Sequence, residues 1–227
     1  MQTQLKQSPT SWANRYRSWA LAGIIASGAL TAVAAQAEEN GWYGGINLGR
    51  SSGGVSGGQI DGVLNNQGIT SSSSTGNHDT SYNLNLGYQF NRNFALEGGY
   101  TDFGKLKVNS TITAPANDTA SGNWSATGWS AVGVGILPLD RNFSVYGKAG
   151  VVFADTKLSL SSDTGANAIS GGSHSSTNGT YGLGVSYDFG NRVVGKLEWN
   201  RYQGLGDSNT TGSADLNTYM AGVAYKF

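Results

Sequence analysis

The chain has 227 residues, of which 38% are apolar and 35 are glycine, with 14 basic against 14 acidic side chains and a mean hydropathy of -0.29. That is lean for the solid hydrophobic core of one domain of this size, and the balanced charge offers no footprint for nucleic acid or a polyanionic substrate. There is no cysteine, which excludes disulfides, a thiol nucleophile and thiolate metal sites.

At the start, Lys6, Arg15 and Arg17 precede an apolar run from Trp19 to Ala35, and Ala35-Gln36-Ala37 stands ahead of Glu38 and Glu39. These are the basic, apolar and small-residue regions of a secretory signal over residues 1–37, with cleavage expected after Ala37. The run is interrupted by Ser and Gly and is short for a helical membrane span, which needs about 20 residues. Removing residues 1–37 leaves 11 basic against 14 acidic side chains, a formal charge of -3.

Residues 38–227 carry eight predicted strands, at 41–50, 81–90, 94–103, 126–137, 143–153, 180–189, 193–202 and 214–227. The alternation is clear in the second, where Tyr82, Leu84, Leu86, Tyr88 and Phe90 alternate with Asn83, Asn85, Gly87 and Gln89. In the sixth, Tyr181, Leu183, Val185, Tyr187 and Phe189 alternate with Gly182, Gly184, Ser186 and Asp188. The last strand places Tyr219, Ala221, Val223, Tyr225 and Phe227 on one face. An apolar outer face with small or polar residues inside describes a barrel in lipid, which keeps average hydropathy low. The fold class expected is all-β: an eight-stranded antiparallel up-and-down transmembrane barrel, its last strand closing on its first.

Connections alternate in length. Segments 51–80, 104–125, 154–179 and 203–213 are long and rich in Ser, Gly, Thr and Asn, whereas 91–93, 138–142 and 190–192 are tight turns. That asymmetry puts the turns in the periplasm and the long loops outside the cell. Trp42, Tyr43, Tyr88, Phe90, Tyr187, Phe189, Tyr225 and Phe227 cluster near strand ends as candidates for one aromatic girdle, with Trp124, Trp129 and Tyr202 for the other.

Four charges fall on the inner face by phase: Glu97 in the third strand, Lys148 in the fifth, and Lys196 and Glu198 in the seventh. A charge facing a narrow lumen must be paired or hydrated, so a salt-bridged plug holding strands in register is expected, with a gated ion path as the alternative. The Gly53-Gly54-Val55-Ser56-Gly57-Gly58 stretch lacks the Gly-Lys-Ser/Thr ending of a phosphate loop and is read as flexible loop with no helix after it. His78 and His174 fall in the long loops beside Asp79 and Ser173, too weak a constellation for a hydrolase or a metal site. No catalytic residue, metal or cofactor is expected.

The segments Gly41-Trp42-Tyr43-Gly44-Gly45-Ile46-Asn47-Leu48-Gly49, Gly87-Tyr88-Gln89-Phe90-Asn91, Leu96-Glu97-Gly98-Gly99-Tyr100, Tyr146-Gly147-Lys148-Ala149-Gly150, Lys196-Leu197-Glu198-Trp199 and Gly222-Val223-Ala224-Tyr225-Lys226-Phe227 occur in this order. Over residues 38–227 they resemble the membrane domain of the OmpA-like outer-membrane proteins. The resemblance implies that Glu97, Lys148, Lys196 and Glu198 form the family's interior charge network. It also implies that Tyr225 and Phe227 belong to a signal read by the barrel-assembly machinery after delivery by periplasmic chaperones. Gly133 and Gly135, with no Lys or Glu in the fourth strand, depart from the family pattern. No peptidoglycan-binding segment follows the barrel in this sequence, so a stand-alone, monomeric barrel among outer-membrane lipid and lipopolysaccharide is expected. Its expected role is structural or surface-presenting, without catalytic turnover; the alternatives are a narrow pore lined by residues such as Asn83, Asn85, Gln89 and Glu97, and an adhesin acting through the long loops.

Overall fold

The computed structural model describes residues 40–76 and 78–227; the signal expected at 1–37 lies outside them. Among the described residues are β1 (Gly41–Gly53), α1 (Gly57–Asn65), β2 (Thr70–Thr75), β3 (His78–Asn91), β4 (Phe94–Ala114), β5 (Asp118–Pro138), β6 (Phe143–Ser162), β7 (Gly172–Gly190), β8 (Val193–Asp207) and β9 (Gly212–Lys226). Eight of the strands form a closed antiparallel ring in the order β1-β3-β4-β5-β6-β7-β8-β9, and β2 adds to the outer part of β4. The closing seam runs from Tyr43 opposite Lys226 to Gly53 opposite Leu216. Beyond it the Phe227 backbone N–H donates to the Trp42 carbonyl at 2.9 Å. A ring joined in this way satisfies backbone groups that lipid cannot.

The tight turns share local chemistry. Asn91 Oδ1 accepts from the backbone N–H groups of Asn93 (2.8 Å) and Phe94 (3.0 Å), and Asp140 Oδ1 does the same for Asn142 (2.8 Å) and Phe143 (2.7 Å). Those N–H donors, Asn142 first, hold the Asp140 carboxyl below the usual carboxylate range. In the third turn Asn191 (φ 53°) and Arg192 (φ 69°) adopt the left-handed conformation of a hairpin reversal.

On the opposite side the strands run on well past their expected ends. Segments 104–125 and 154–179 are not loops: β4 and β5 meet across residues 115–117, and β6 and β7 across 163–171. His78 and His174 accordingly lie in β3 and β7. The 51–80 segment holds α1 and β2, which corrects the reading of Gly53–Gly58 as loop with no helix after it. Ser56 caps α1, its Oγ accepting from the Gln59 N–H at 3.4 Å while Gln59 Oε1 accepts from the Ser56 N–H at 3.0 Å. Ile60, Val63 and Leu64 lie on one side of the helix and are buried.

Polarity inverts along the strands. On β6 the outward residues Val151 and Phe153 are exposed and apolar, but the outward residues that follow are Asp155, Lys157, Ser159 and Ser161, while Val152, Ala154, Leu158 and Leu160 point inward. Below the change the barrel has the polarity of a membrane protein, and above it that of a water-soluble sheet. Asp118, near the far tip, is held below the usual carboxylate range by the Ser162 hydroxyl it accepts from, supported by the Thr119 backbone N–H. Two matched substitutions test the boundary. Leu183→Arg, on the lipid face of β7, should lower unfolding free energy in lipid vesicles by about 2–4 kcal/mol. Ser159→Arg, outward on β6 above the boundary, should change it by less than about 0.5 kcal/mol; equal losses would disprove the boundary.

Candidate functional site

The lumen has two layers. In the membrane layer, alternation on β4, β6 and β8 turns Glu97, Lys148, Lys196 and Glu198 inward, and closure of the ring brings them together. Lys148 Nζ lies 2.6 Å from Glu97 Oε1 and 2.8 Å from Glu198 Oε1. Lys196 Nζ lies 3.5 Å from Glu97 Oε2 and 3.1 Å from Glu198 Oε1. The four side chains are 3–8% exposed, so two cations and two anions form a neutral, buried cycle. Neutrality and the number of contacts offset the several kcal/mol that each isolated ion would cost.

Two tyrosines complete the cluster. The Tyr43 hydroxyl donates to Glu97 Oε2 at 3.1 Å, and the Tyr146 hydroxyl to Glu198 Oε1 at 2.7 Å. Lys148 Nζ lies 5.6 Å from the Tyr146 ring centroid, and Lys196 Nζ lies 5.8 Å and 5.5 Å from those of Tyr43 and Tyr146. Each ring leans over a glycine of the neighbouring strand: a Cβ at Gly87 would meet the Tyr43 ring at 2.3 Å, and one at Gly184 the Tyr146 ring at 2.4 Å. Tyr43 therefore lies in the lumen and not in the girdle expected from its place at a strand end. Its parity with Gly45 and Asn47 puts it inside, a signal present in the sequence.

Above the charges lies an apolar core. Phe103, Leu106, Val108, Ile112, Trp124, Leu158, Tyr202, Leu205 and Leu216 pack with Val55, Ile60, Val63 and Leu64 from the α1 segment. Trp124 is 1% and Tyr202 5% exposed, so neither belongs to the outer girdle. Phe103 and Tyr202 meet edge to face at 4.7 Å. Trp129, by contrast, is 64% exposed and packs on Tyr100 at 5.1 Å. The expectation of small or polar residues throughout the interior therefore fails above the membrane, where outward surface meets water and the inside becomes the only dry place. On β4 the parity change comes at Gly104 (φ 83°), where the register shifts. Inward residues are Ala95, Glu97, Gly99, Thr101 and Phe103 before it, and Leu106, Val108, Ser110 and Ile112 after it.

Below the charges, on the turn side, a cavity of about 120 Å³ reaches Glu97, Lys148 and Lys196 from a mouth formed by residues such as Arg92, Asp140 and Arg141. Among the described residues no group of His, Asp and Glu is placed to hold a metal ion. The chemistry of this lumen is thus ion pairing and packing: it can lock strands together and fill the bore.

The OmpA-like transmembrane domain family model matches residues 37–227. Outer membrane protein A of Escherichia coli O157:H7 is 25% identical over 212 residues, covering 90% of this chain and 53% of that protein. Outer membrane protein A of Salmonella typhi is 25% identical over 216 residues with the same coverage, so the chain spans about half the length of the curated relatives it matches. Among solved structures, Neisserial surface protein A aligns with a TM-score of 0.55 at 16% identity, covering 84% of this chain and 100% of that one. OprG of Pseudomonas aeruginosa aligns at 0.52 and 12%, covering 83% and 97%. At such identities these two likenesses speak for the fold alone.

Proposed function

The chain belongs to the OmpA-like transmembrane domain family, and from that premise we propose that it serves as a closed, non-conducting outer-membrane barrel that carries its polar hairpins at the cell surface. The observation that carries this reading is the doubly filled bore, a neutral ion-pair cycle beneath an apolar core that takes in Ile60, Val63 and Leu64 of α1. A water path would require breaking the first and displacing the second. The interior network of Glu97, Lys148, Lys196 and Glu198 then acts as a strut across β4, β6 and β8 rather than as a gate.

Its partners on this reading are outer-membrane lipid and lipopolysaccharide, periplasmic chaperones and the barrel-assembly machinery. Tyr225 and Phe227, whose rings meet edge to face at 5.7 Å beside the closing seam, form the element the machinery reads. On this reading the barrel acts as a monomer, and the closed β1–β9 seam supports it by leaving no barrel edge for a second copy's strand to pair with. The test is single-channel recording of refolded protein in planar bilayers, with a Glu97→Ala variant alongside. Silence is expected from both, because the apolar layer is untouched by the substitution; discrete openings in the unmodified protein would overturn the proposal.

A further inference from the structure

The outward face of β4–β6 is ordered in rows by the strand register. Tyr100 stands opposite Trp129, and Trp129 opposite Phe153, making an aromatic row. Next comes Asp102 opposite Thr127 and Thr127 opposite Asp155. Then Lys105 stands opposite Ser125 and Ser125 opposite Lys157, with Lys107 one step farther out opposite Asn123. Strand spacing puts Lys105 and Lys157 roughly 10 Å apart, and Lys105 and Lys107 roughly 7 Å. All three lysines are exposed. Among the described residues none of them is ion-paired, whereas Arg201 on β8 is bound to Asp215 at 2.8 Å.

The order of these rows has chemical meaning. Acyl chains match the aromatic row, which ends the apolar band. The middle row is carboxylate and hydroxyl: it repels phosphate but accepts hydrogen bonds from sugar hydroxyls. Asp102 already accepts from the Tyr82 hydroxyl at 3.0 Å and the Gly104 N–H at 2.8 Å, and Asp155 from the Ser175 hydroxyl, which fixes both carboxylates. The lysine row begins about 13 Å along the strand from the aromatic row. A glycerophospholipid, with its phosphate next to the acyl region, would meet the carboxylates; a phosphorylated sugar lipid spans the gap.

We propose that this face is a binding site for a phosphorylated glycolipid of the outer leaflet, its acyl chains on Tyr100, Trp129 and Phe153, its sugar on the Asp102–Thr127–Asp155 row and its phosphates on Lys105, Lys107 and Lys157. This rests on the lipid partner class proposed above and is independent of the closed bore. The test is titration of detergent-solubilised, folded protein with bisphosphorylated lipid A and with its dephosphorylated form, read by native mass spectrometry. The unmodified protein should bind the phosphorylated form about tenfold more tightly. The Lys105→Gln/Lys107→Gln/Lys157→Gln variant should lose that preference, the corresponding triple arginine variant should keep it, and Arg201→Gln should leave it unchanged. If the unmodified protein discriminates and the triple glutamine variant does so equally, this site is wrong while the partner class stands. If the unmodified protein does not discriminate, both fail.

Discussion

Lys148→Met should lower the unfolding free energy of the barrel in lipid vesicles by about 3–5 kcal/mol, because it leaves two buried carboxylates facing one remaining ammonium. Lys148 makes the two shortest ion contacts of the cycle, at 2.6 and 2.8 Å. Lys196, at 3.5 and 3.1 Å, cannot neutralise both anions. Urea titration followed by the electrophoretic shift between folded and heat-unfolded forms measures this directly. The double variant Lys148→Met/Glu198→Gln keeps one cation and one anion, so it should be more stable than the sum of its single losses, with a coupling of about 0.5–3 kcal/mol. A single variant within about 0.5 kcal/mol of the unmodified protein would show that the charges are hydrated and that the cycle is no strut.

Trp124→Ala should cost about 3–5 kcal/mol by emptying the largest side chain of the apolar layer. Trp129→Ala removes the same ring from the lipid boundary, 64% exposed, and should cost clearly less. The two tryptophans are only five positions apart on β5, and the odd spacing puts them on opposite faces. The same urea titration separates them; equal losses would return Trp124 to the girdle and remove the case for a dry interior. Because Trp124 packs in the layer that includes α1 residues, its loss should also speed backbone hydrogen exchange around Ile60 and Leu64 more than in the tight turns.

Much of this architecture is legible along the chain because a strand writes its two faces as a period of two. Leu84 and Leu86 outward, Asn83 and Asn85 inward, needs no partner strand to be recognised. The same rule turned Glu97, Lys148, Lys196 and Glu198 inward. It also turns Tyr43 and Trp124 inward, against the general preference of strand-end aromatics for the headgroup boundary. The Ser- and Thr-rich hairpins carry the same alternation in a less visible form. Lys105-Leu106-Lys107-Val108 alternates as cleanly as any membrane strand, but with opposite meaning, and polar composition concealed it.

Local sequence therefore determined which residues share a face, where the tight turns reverse, and which four charges point one way. It did not determine which face is inside at a given height, since the bulge at Gly104 shifts the parity of β4. Nor did it place the buried side of α1 on the apolar core or bring Lys148 within reach of both carboxylates, fifty and fifty-one positions away. Those were decided by closure of β9 on β1: a ring of fixed register converts faces into a lumen, and only in a lumen do distant charges, a capped helix and an apolar stripe compete for the same volume.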